Sequence, residues 1–133
     1  MNDYDEKTYP HSELSGKIIA VAKAVHDHFR PGLDEVLYER SMCIELAERG
    51  IFFEVQKSHD VHYKNKYIGV LITDLIVDGK VIVDLKVVDN FTDTHIAQML
   101  GYLSITGLQI GLLINFKHAT LQIKRVARLN HKQ

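Results

Sequence analysis

The spacing of apolar residues predicts two helices at the start of the chain. Between positions 14 and 29 they recur at the period of one helix face: Leu14, Ile18, Val21, Ala22, Val25 and Phe29. The residues RPG at positions 30–32 break this helix, and a second covers residues 33–49 before Gly50. We expect four residues to form its apolar side: Val36, Leu37, Ile44 and Ala47.

From Ile51 onward, runs rich in β-branched residues predict strands. A bent or interrupted strand, IFFEV with VHY, precedes YIGVLITDLIV and KVIVDLKVV. A helix, DTHIAQMLGYLSIT, then begins at Thr92 or Asp93 and ends at Gly107, before the strands QIGLLINF and TLQIKRV. Both faces of the middle strands are apolar, so the order α-α-β-β-β-α-β-β predicts a mixed α/β sandwich with helices on both faces.

The composition fits a single globular domain. The chain has 133 residues, of which 46% are hydrophobic and 25% charged. We place the domain at residues 12–133, after a flexible N-terminal tail of residues 1–11. The single cysteine, Cys43, excludes an internal disulfide. The chain shows no signal peptide and no membrane-spanning run, which favours a cytoplasmic location without membrane contact. No glycine-rich phosphate loop is present.

Charge is distributed unevenly along the chain, although the net charge is only -1. No acidic residue follows Asp93, whereas several basic ones do. A field of one sign attracts polyanions. The candidates for binding nucleic-acid phosphates are Lys117, Lys124, Arg125 and Arg128. A solvated basic edge with a C-terminal tail would explain the same pattern.

Three charged residues interrupt the apolar segment DLIVDGKVIVDLK, which runs from Asp74 to Lys86. Asp84 and Lys86 are two positions apart on a strand, so their side chains share a face. A two-residue turn would place Asp74 on the opposite face. A three-residue loop ending at Gly79 instead pairs Asp74 with Ile82, and Asp74 then shares the face of Asp84. We therefore predict an odd loop or a bulge, with Gly79 in a left-handed conformation.

Two carboxylates this close repel each other unless one is protonated or a cation lies between them. Oxygen ligands alone favour a hard divalent cation. The competing interpretation is an internal Asp–Lys ion pair, with Asp74 at a strand end. The residues of this segment by themselves leave both interpretations open.

Other polar residues lie where they could complete a site. Gln98 and Tyr102 are four apart and share one face of the third helix, although a polar flank would explain them equally. Glu35, in the first turn of the second helix, also suits the helix dipole. His26 is a candidate ligand as well as an ordinary residue near a helix C-terminus.

Three of these segments resemble one known family. GLDEVLY, at positions 32–38, resembles the signature of the GxxExxY proteins, which are placed in the PD-(D/E)XK nuclease superfamily. DLK, at positions 84–86, is similar to the (D/E)xK element of that superfamily, and QMLGY, at positions 98–102, is similar to the QxxxY element of RecB-like nucleases. The resemblance covers nearly the whole ordered chain. It implies a restriction-endonuclease-like α-β-β-β-α-β core, with an extra N-terminal helix and C-terminal strand.

The resemblance also implies an activity: metal-dependent hydrolysis of nucleic acid, DNA in the first place, with Mg²⁺ or Mn²⁺ as cofactor. The implied catalytic set is Asp74, Asp84, Lys86, Glu35, Gln98 and Tyr102. Of these, the three acids would hold the metal. Lys86 would orient the attacking water or stabilise charge on the phosphate, and the helix pair would position Lys86 or the substrate.

Two residues depart from the family pattern. Asp84 stands where family members commonly have glutamate, and Ala24 stands where many relatives have glutamate. A competing interpretation is therefore a catalytically weak or inactive module that binds nucleic acid or a protein partner. A third is a homodimer that pairs through an exposed helix or a sheet edge, for which TLQIKRV is the candidate edge strand.

Overall fold

The computed structural model describes residues 10–128, so the predicted N-terminal tail lies outside the described residues except for Pro10 and His11. The elements follow the predicted order: α1 Ser12–Phe29, α2 Glu35–Glu48, β1 Phe53–Tyr63, β2 Lys66–Val77, β3 Val81–Lys86, α3 Asp93–Thr106, β4 Ile110–Asn115 and β5 Gln122–Ala127. Within this part of the chain, no helix has the length and apolar character needed to cross a membrane.

The five strands form one mixed sheet in the order β1-β2-β3-β4-β5. β1, β2 and β3 are antiparallel neighbours, and β4 pairs with β5 in the same way. β3 and β4 are parallel, because α3 carries the chain back across the sheet between them. The predicted mixed sheet flanked by helices is therefore confirmed, and β5 is an edge strand as expected.

Two separate apolar cores cover the two faces of the sheet. On one face, α1 and α2 pack on alternate residues of the central strands, including Leu75, Val83 and Leu112. On the other face, Met99 and Leu103 of α3 pack on the residues between them. Both faces of the central strands are apolar because each is buried under a helix.

The buried face of α2 differs from the predicted one. The side chains that this helix buries are spaced by four residues: Tyr38, Met42 and Leu46. The aliphatic residues expected there are exposed: Val36, Leu37, Ile44 and Ala47. The prediction was wrong because it considered mainly aliphatic residues. It did not include the apolar stripe that Tyr38, Met42 and Leu46 form along one face of the helix.

The β2–β3 hairpin has an odd loop, as predicted, but the loop lies one residue further along the chain. Val77 pairs with Val81, so the loop consists of residues 78–80. Gly79 has a φ of 63°, the left-handed conformation expected of it. Continuing the observed register by one step places Asp74 directly opposite Asp84, and not opposite Ile82. The correction brings the two carboxylates closer than predicted.

The first strand forms one element, and it is irregular, as the bent or interrupted pattern predicted. β1 pairs with β2 from Phe53↔Val77 to Tyr63↔Lys66, but Gln56 has no partner in this register. Two irregularities explain its broken sequence pattern. Gln56 has a φ of 52°, and the register shifts between Val61 and His62.

Candidate active site

Three carboxylates from three different elements meet at one end of the β2–β3 hairpin. Each of Glu35, Asp74 and Asp84 offers an oxygen within 4.8 Å of the others. Asp84 is only 6% exposed, whereas Glu35 is exposed at the start of α2. An all-oxygen set of three acids, open on one side, fits a hard divalent cation such as Mg²⁺ or Mn²⁺.

The position of Glu35 depends on a buried tyrosine three residues later. The Tyr38 hydroxyl donates to the carbonyl oxygen of Arg30 at 2.6 Å and accepts from the N–H of Leu33 at 3.2 Å. Its ring stacks on Phe116, with centroids 4.5 Å apart. Tyr38 thus fixes the loop that leads into α2, and the first residue of the helix is held toward the sheet.

Lys86 lies beside the most buried of the acids. Its Nζ is 3.4 Å from Oδ2 of Asp84. Burial raises the pKa of Asp84, Lys86 opposes that rise, and the neighbouring charge of Asp74 adds to it. The pKa of Glu35 is also raised, first by burial, with Lys86 opposing and the two aspartates adding to the rise. The single positive charge of Lys86 therefore does not neutralise the three carboxylates. Such an excess of negative charge is expected of a site that binds a cation.

The polar pair on α3 faces the same carboxylates. Gln98 and Tyr102 lie four residues apart on the same face of α3. Burial raises the pKa of Tyr102, and the charges of Asp84 and Asp74 raise it further. The structure therefore places Tyr102 near the three acids and Lys86, with Gln98 one helical turn before it.

Three further residues belong to the surroundings of this group: Gln56 and Glu39, which were not anticipated, and His95, which lies near Gln98 and Tyr102 in the sequence. The Gln56 amide donates from Nε2 to Oδ1 of Asp74 at 3.2 Å. Burial, followed by Asp74 and Glu35, raises the pKa of Glu39, which stands one helical turn after Glu35. The charge of His95 lowers the pKa of Asp84. The four-residue spacing from Glu35 could have indicated Glu39, whereas nothing in the sequence marked Gln56.

His95 is held by the helix that carries it. Its Nδ1 accepts a hydrogen bond from the N–H of Thr92, and its own N–H donates to the Thr92 hydroxyl, which completes the capping box of α3.

His26 does not lie with the carboxylates. The ring is buried, its Nε2 is 2.8 Å from the carbonyl oxygen of His118, and it packs against Phe116. This side chain joins the end of α1 to the β4–β5 loop. The expectation that it could be a metal ligand has no support in this geometry.

The basic residues near the C-terminus are largely engaged within the protein. Arg125 donates to the Ser15 hydroxyl at 3.1 Å and to a backbone oxygen before α1. Arg128 donates to the carbonyl oxygens at the end of α3. Lys117 is paired with Asp89, and Lys124 is exposed. The predicted phosphate-binding group therefore has mainly structural contacts.

Ala24 lies away from the carboxylates. It lines a cavity between α1 and α2 with Ser41, Ile44 and Glu45. Along α2, Ser41 is six residues and Glu45 ten residues beyond Glu35, about 9 to 15 Å at the rise of an α-helix. The alanine therefore removes no ligand from the observed group.

A family model matches most of the chain. The model of the PD-(D/E)XK nuclease superfamily matches residues 12–126, from the first residue of α1 to the penultimate residue of β5. No curated protein matches the chain. The matched region contains the three carboxylates, Lys86 and the polar pair on α3.

Proposed function

The chain belongs to the PD-(D/E)XK nuclease superfamily, and from this premise we propose that it is a divalent-metal-dependent nuclease that hydrolyses phosphodiester bonds in DNA. Within the superfamily we place it with the GxxExxY proteins, on the residues GLDEVLY at positions 32–38. Glu35 and Tyr38 of this signature support the placement, since one reaches the carboxylate group and the other anchors the loop before it.

The observation that carries this proposal is the meeting of three acids with one lysine. Asp74, Asp84 and Glu35 would hold Mg²⁺ or Mn²⁺, which when bound supplies a polarised phosphate oxygen and a more acidic water. Lys86, 3.4 Å from Asp84, presents its ammonium group at the same place. There it stabilises negative charge that develops on the phosphate and orients the water that attacks phosphorus as the bridging P–O bond breaks.

The remaining residues of the site have positioning roles. Gln98 and Tyr102, which share one face of α3, orient the substrate or Lys86 from the α3 side. Gln56 fixes the rotamer of Asp74 from the β1 side. Asp84 has a shorter side chain than glutamate, yet its carboxylate still lies within 4.8 Å of an oxygen of Asp74 and of Glu35.

The test is cleavage of single-stranded and double-stranded DNA with Mg²⁺ or Mn²⁺, compared between the wild type and Asp84→Asn. Calorimetric titration with Mn²⁺ accompanies it. We expect both cleavage and metal binding to be lost in the variant. Binding of Mn²⁺ without any cleavage of DNA or RNA would instead indicate a non-catalytic module. Cleavage that survives in Asp84→Asn would contradict the assignment of the site.

A further inference from the structure

The outer part of the β1–β2 hairpin, residues 57–72, forms a two-stranded arm that we call the β-arm. β2 pairs with β3 only over Leu75–Val77, so in the described chain the outer residues of β1 and β2 pair only with each other. The two strands of the β-arm, residues 57–63 and 66–72, have seven residues each, or ~23 Å. We propose that the β-arm is the surface along which an unpaired strand of nucleic acid is held. This inference rests on the proposed nuclease function.

The β-arm exposes an unusual amount of apolar and aromatic surface. Its tip carries Tyr63 and Tyr67, which are 63% and 60% exposed. Three aliphatic residues of β2 follow the tip: Ile68, Val70 and Ile72, at 64%, 52% and 48%. Because Tyr63 pairs with Lys66 and Tyr67 pairs with His62, the two rings lie on opposite faces of the tip, and exposed apolar surface of this kind marks a contact site. Aromatic rings on such a surface can stack with unpaired bases of any sequence.

The charges of the β-arm favour a polyanion as its partner. It contains three lysines, Lys57, Lys64 and Lys66, and one carboxylate, Asp60. Lys57 is paired with Glu54, whereas the other two lysines flank the tip. A second copy of the chain docked tip to tip would bring these like charges together. A nucleic-acid strand would instead bring phosphates to the lysines and bases to the tyrosines.

The tip presents these side chains in a defined arrangement. Lys64 and Asn65 have φ values of 49° and 66°, the left-handed conformations of a tight two-residue hairpin turn. Lys64 places its Nζ 5.4 Å from the centroid of the Tyr63 ring, and Tyr67 contacts the ring of His62 edge-on. Lysine and tyrosine therefore lie side by side, as recognition of a base next to its phosphate requires.

The β-arm leads into the carboxylate group along the same strand. Val70, Ile72 and Asp74 alternate along β2, so their side chains share one face. Tyr67 is seven residues from Asp74, a distance of ~23 Å, which corresponds to about seven stacked nucleotides. A strand held at the tip can thus pass over the aliphatic residues and reach the metal site.

Fluorescence anisotropy with a labelled oligodeoxythymidine of about 20 nucleotides tests the β-arm, with EDTA present so that the strand is not cut. Tyr63→Ala/Tyr67→Ala is expected to weaken binding about 10-fold or more, with little change in salt dependence, because stacking is lost. Lys64→Ala/Lys66→Ala is expected to reduce the slope of log K against log salt by about 1.4, since two phosphate contacts are lost.

The matched control is Lys17→Ala/Lys23→Ala, which removes the same charge from exposed positions of α1. It should bind the oligonucleotide like the wild type. The β-arm variants should keep their melting temperature and their calorimetric affinity for Mn²⁺.

Three outcomes would overturn the inference. If both β-arm variants bind the oligonucleotide with wild-type affinity, the β-arm does not hold the strand, and the proposed nuclease function is unaffected. A lower molar mass of the variants by light scattering, with unchanged oligonucleotide affinity, assigns the β-arm to contact with a second copy. A wild-type protein that binds neither the oligonucleotide nor Mn²⁺ overturns the inference and the proposed function together.

Discussion

Gln56 donates a hydrogen bond from Nε2 to Oδ1 of Asp74, and it does so from a left-handed backbone with a φ of 52°. Left-handed conformations are unfavourable for residues other than glycine and cluster at functional sites. Continuing the two strand registers places Gln56, Asp74 and Asp84 in one row across three strands. The strained residue is therefore the one that orients a candidate metal ligand.

Replacement of Gln56 should separate stability from metal binding. Gln56→Gly removes the amide and relieves the strained backbone, so we expect the free energy of unfolding to rise by about 1 kcal/mol in the absence of metal. The same variant should bind Mn²⁺ about 10-fold to 100-fold more weakly, because Asp74 loses its orienting donor. Chemical denaturation and calorimetry measure the two effects.

Ser58→Ala is the control for Gln56→Gly, since Ser58 is exposed and lies two residues further along β1. It should leave Mn²⁺ affinity unchanged. If Gln56→Gly weakened metal binding only in proportion to a loss of stability, Gln56 would have a structural role alone.

Lys86 should matter for catalysis more than for metal affinity. Lys86→Met removes the ammonium group next to Asp84, and we expect the cleavage rate at saturating substrate to fall by about 10²-fold to 10³-fold. Mn²⁺ affinity at mildly alkaline pH should be kept, because the variant removes a positive charge from the site of a cation. Lys80→Met, which removes an exposed lysine paired with Asp78, is the control. Loss of Mn²⁺ binding in Lys86→Met would show that this lysine instead holds the carboxylates in place.

The raised pKa of Asp84 has a defined consequence for stability. Burial is its main cause. Such a carboxyl group favours folding when it is protonated, below its ordinary pKa of 3.8, and this contribution is lost as the pH rises through the higher folded pKa. Asp84→Asn should therefore melt a few degrees above the wild type at neutral pH in EDTA.

With Mn²⁺ at neutral pH, the wild type should instead melt at a higher temperature than Asp84→Asn. At a metal concentration 100 times its dissociation constant, the wild type gains about 2.7 kcal/mol and the variant gains nothing. Differential scanning calorimetry with and without Mn²⁺ measures this reversal of the two melting temperatures. Asp78→Asn, at an exposed turn position, should show no such reversal relative to the wild type. A lower melting temperature of Asp84→Asn under both conditions would contradict a destabilising buried charge.

Tyr38 should contribute to the site through one hydroxyl group. Tyr38→Phe keeps the ring stacked on Phe116 but leaves the N–H of Leu33 and the carbonyl oxygen of Arg30 without this partner. We expect a loss of about 1 to 3 kcal/mol in unfolding free energy. Weaker Mn²⁺ binding should accompany it, because Glu35 is less well placed. Tyr63→Phe, at an exposed tyrosine, should change neither quantity.

The sequence determined the order of the elements and the parity of the central hairpin. Periodicity separates helix from strand, and the odd loop followed from the expectation that Asp74 and Asp84 share one face of the sheet. The family resemblance then indicated six candidate site residues, and the structure groups four of them, Glu35, Asp74, Asp84 and Lys86. These features are local, so they could be inferred before any tertiary contact was known.

The tertiary structure decided which side chains serve the site and which serve the fold. By sequence alone, Arg125 and Arg128 could bind phosphates. In the fold, Arg125 instead donates to the Ser15 hydroxyl of α1, and Arg128 donates to the carbonyl oxygen of Leu108, just after α3. The buried face of α2 and the one-residue shift of the hairpin depend on packing and turn geometry. The hydrogen bond from Gln56 to Asp74 depends on strand register and on a backbone conformation that glutamine does not favour. Contacts between distant residues follow from how the elements pack, and no spacing along the chain encodes them.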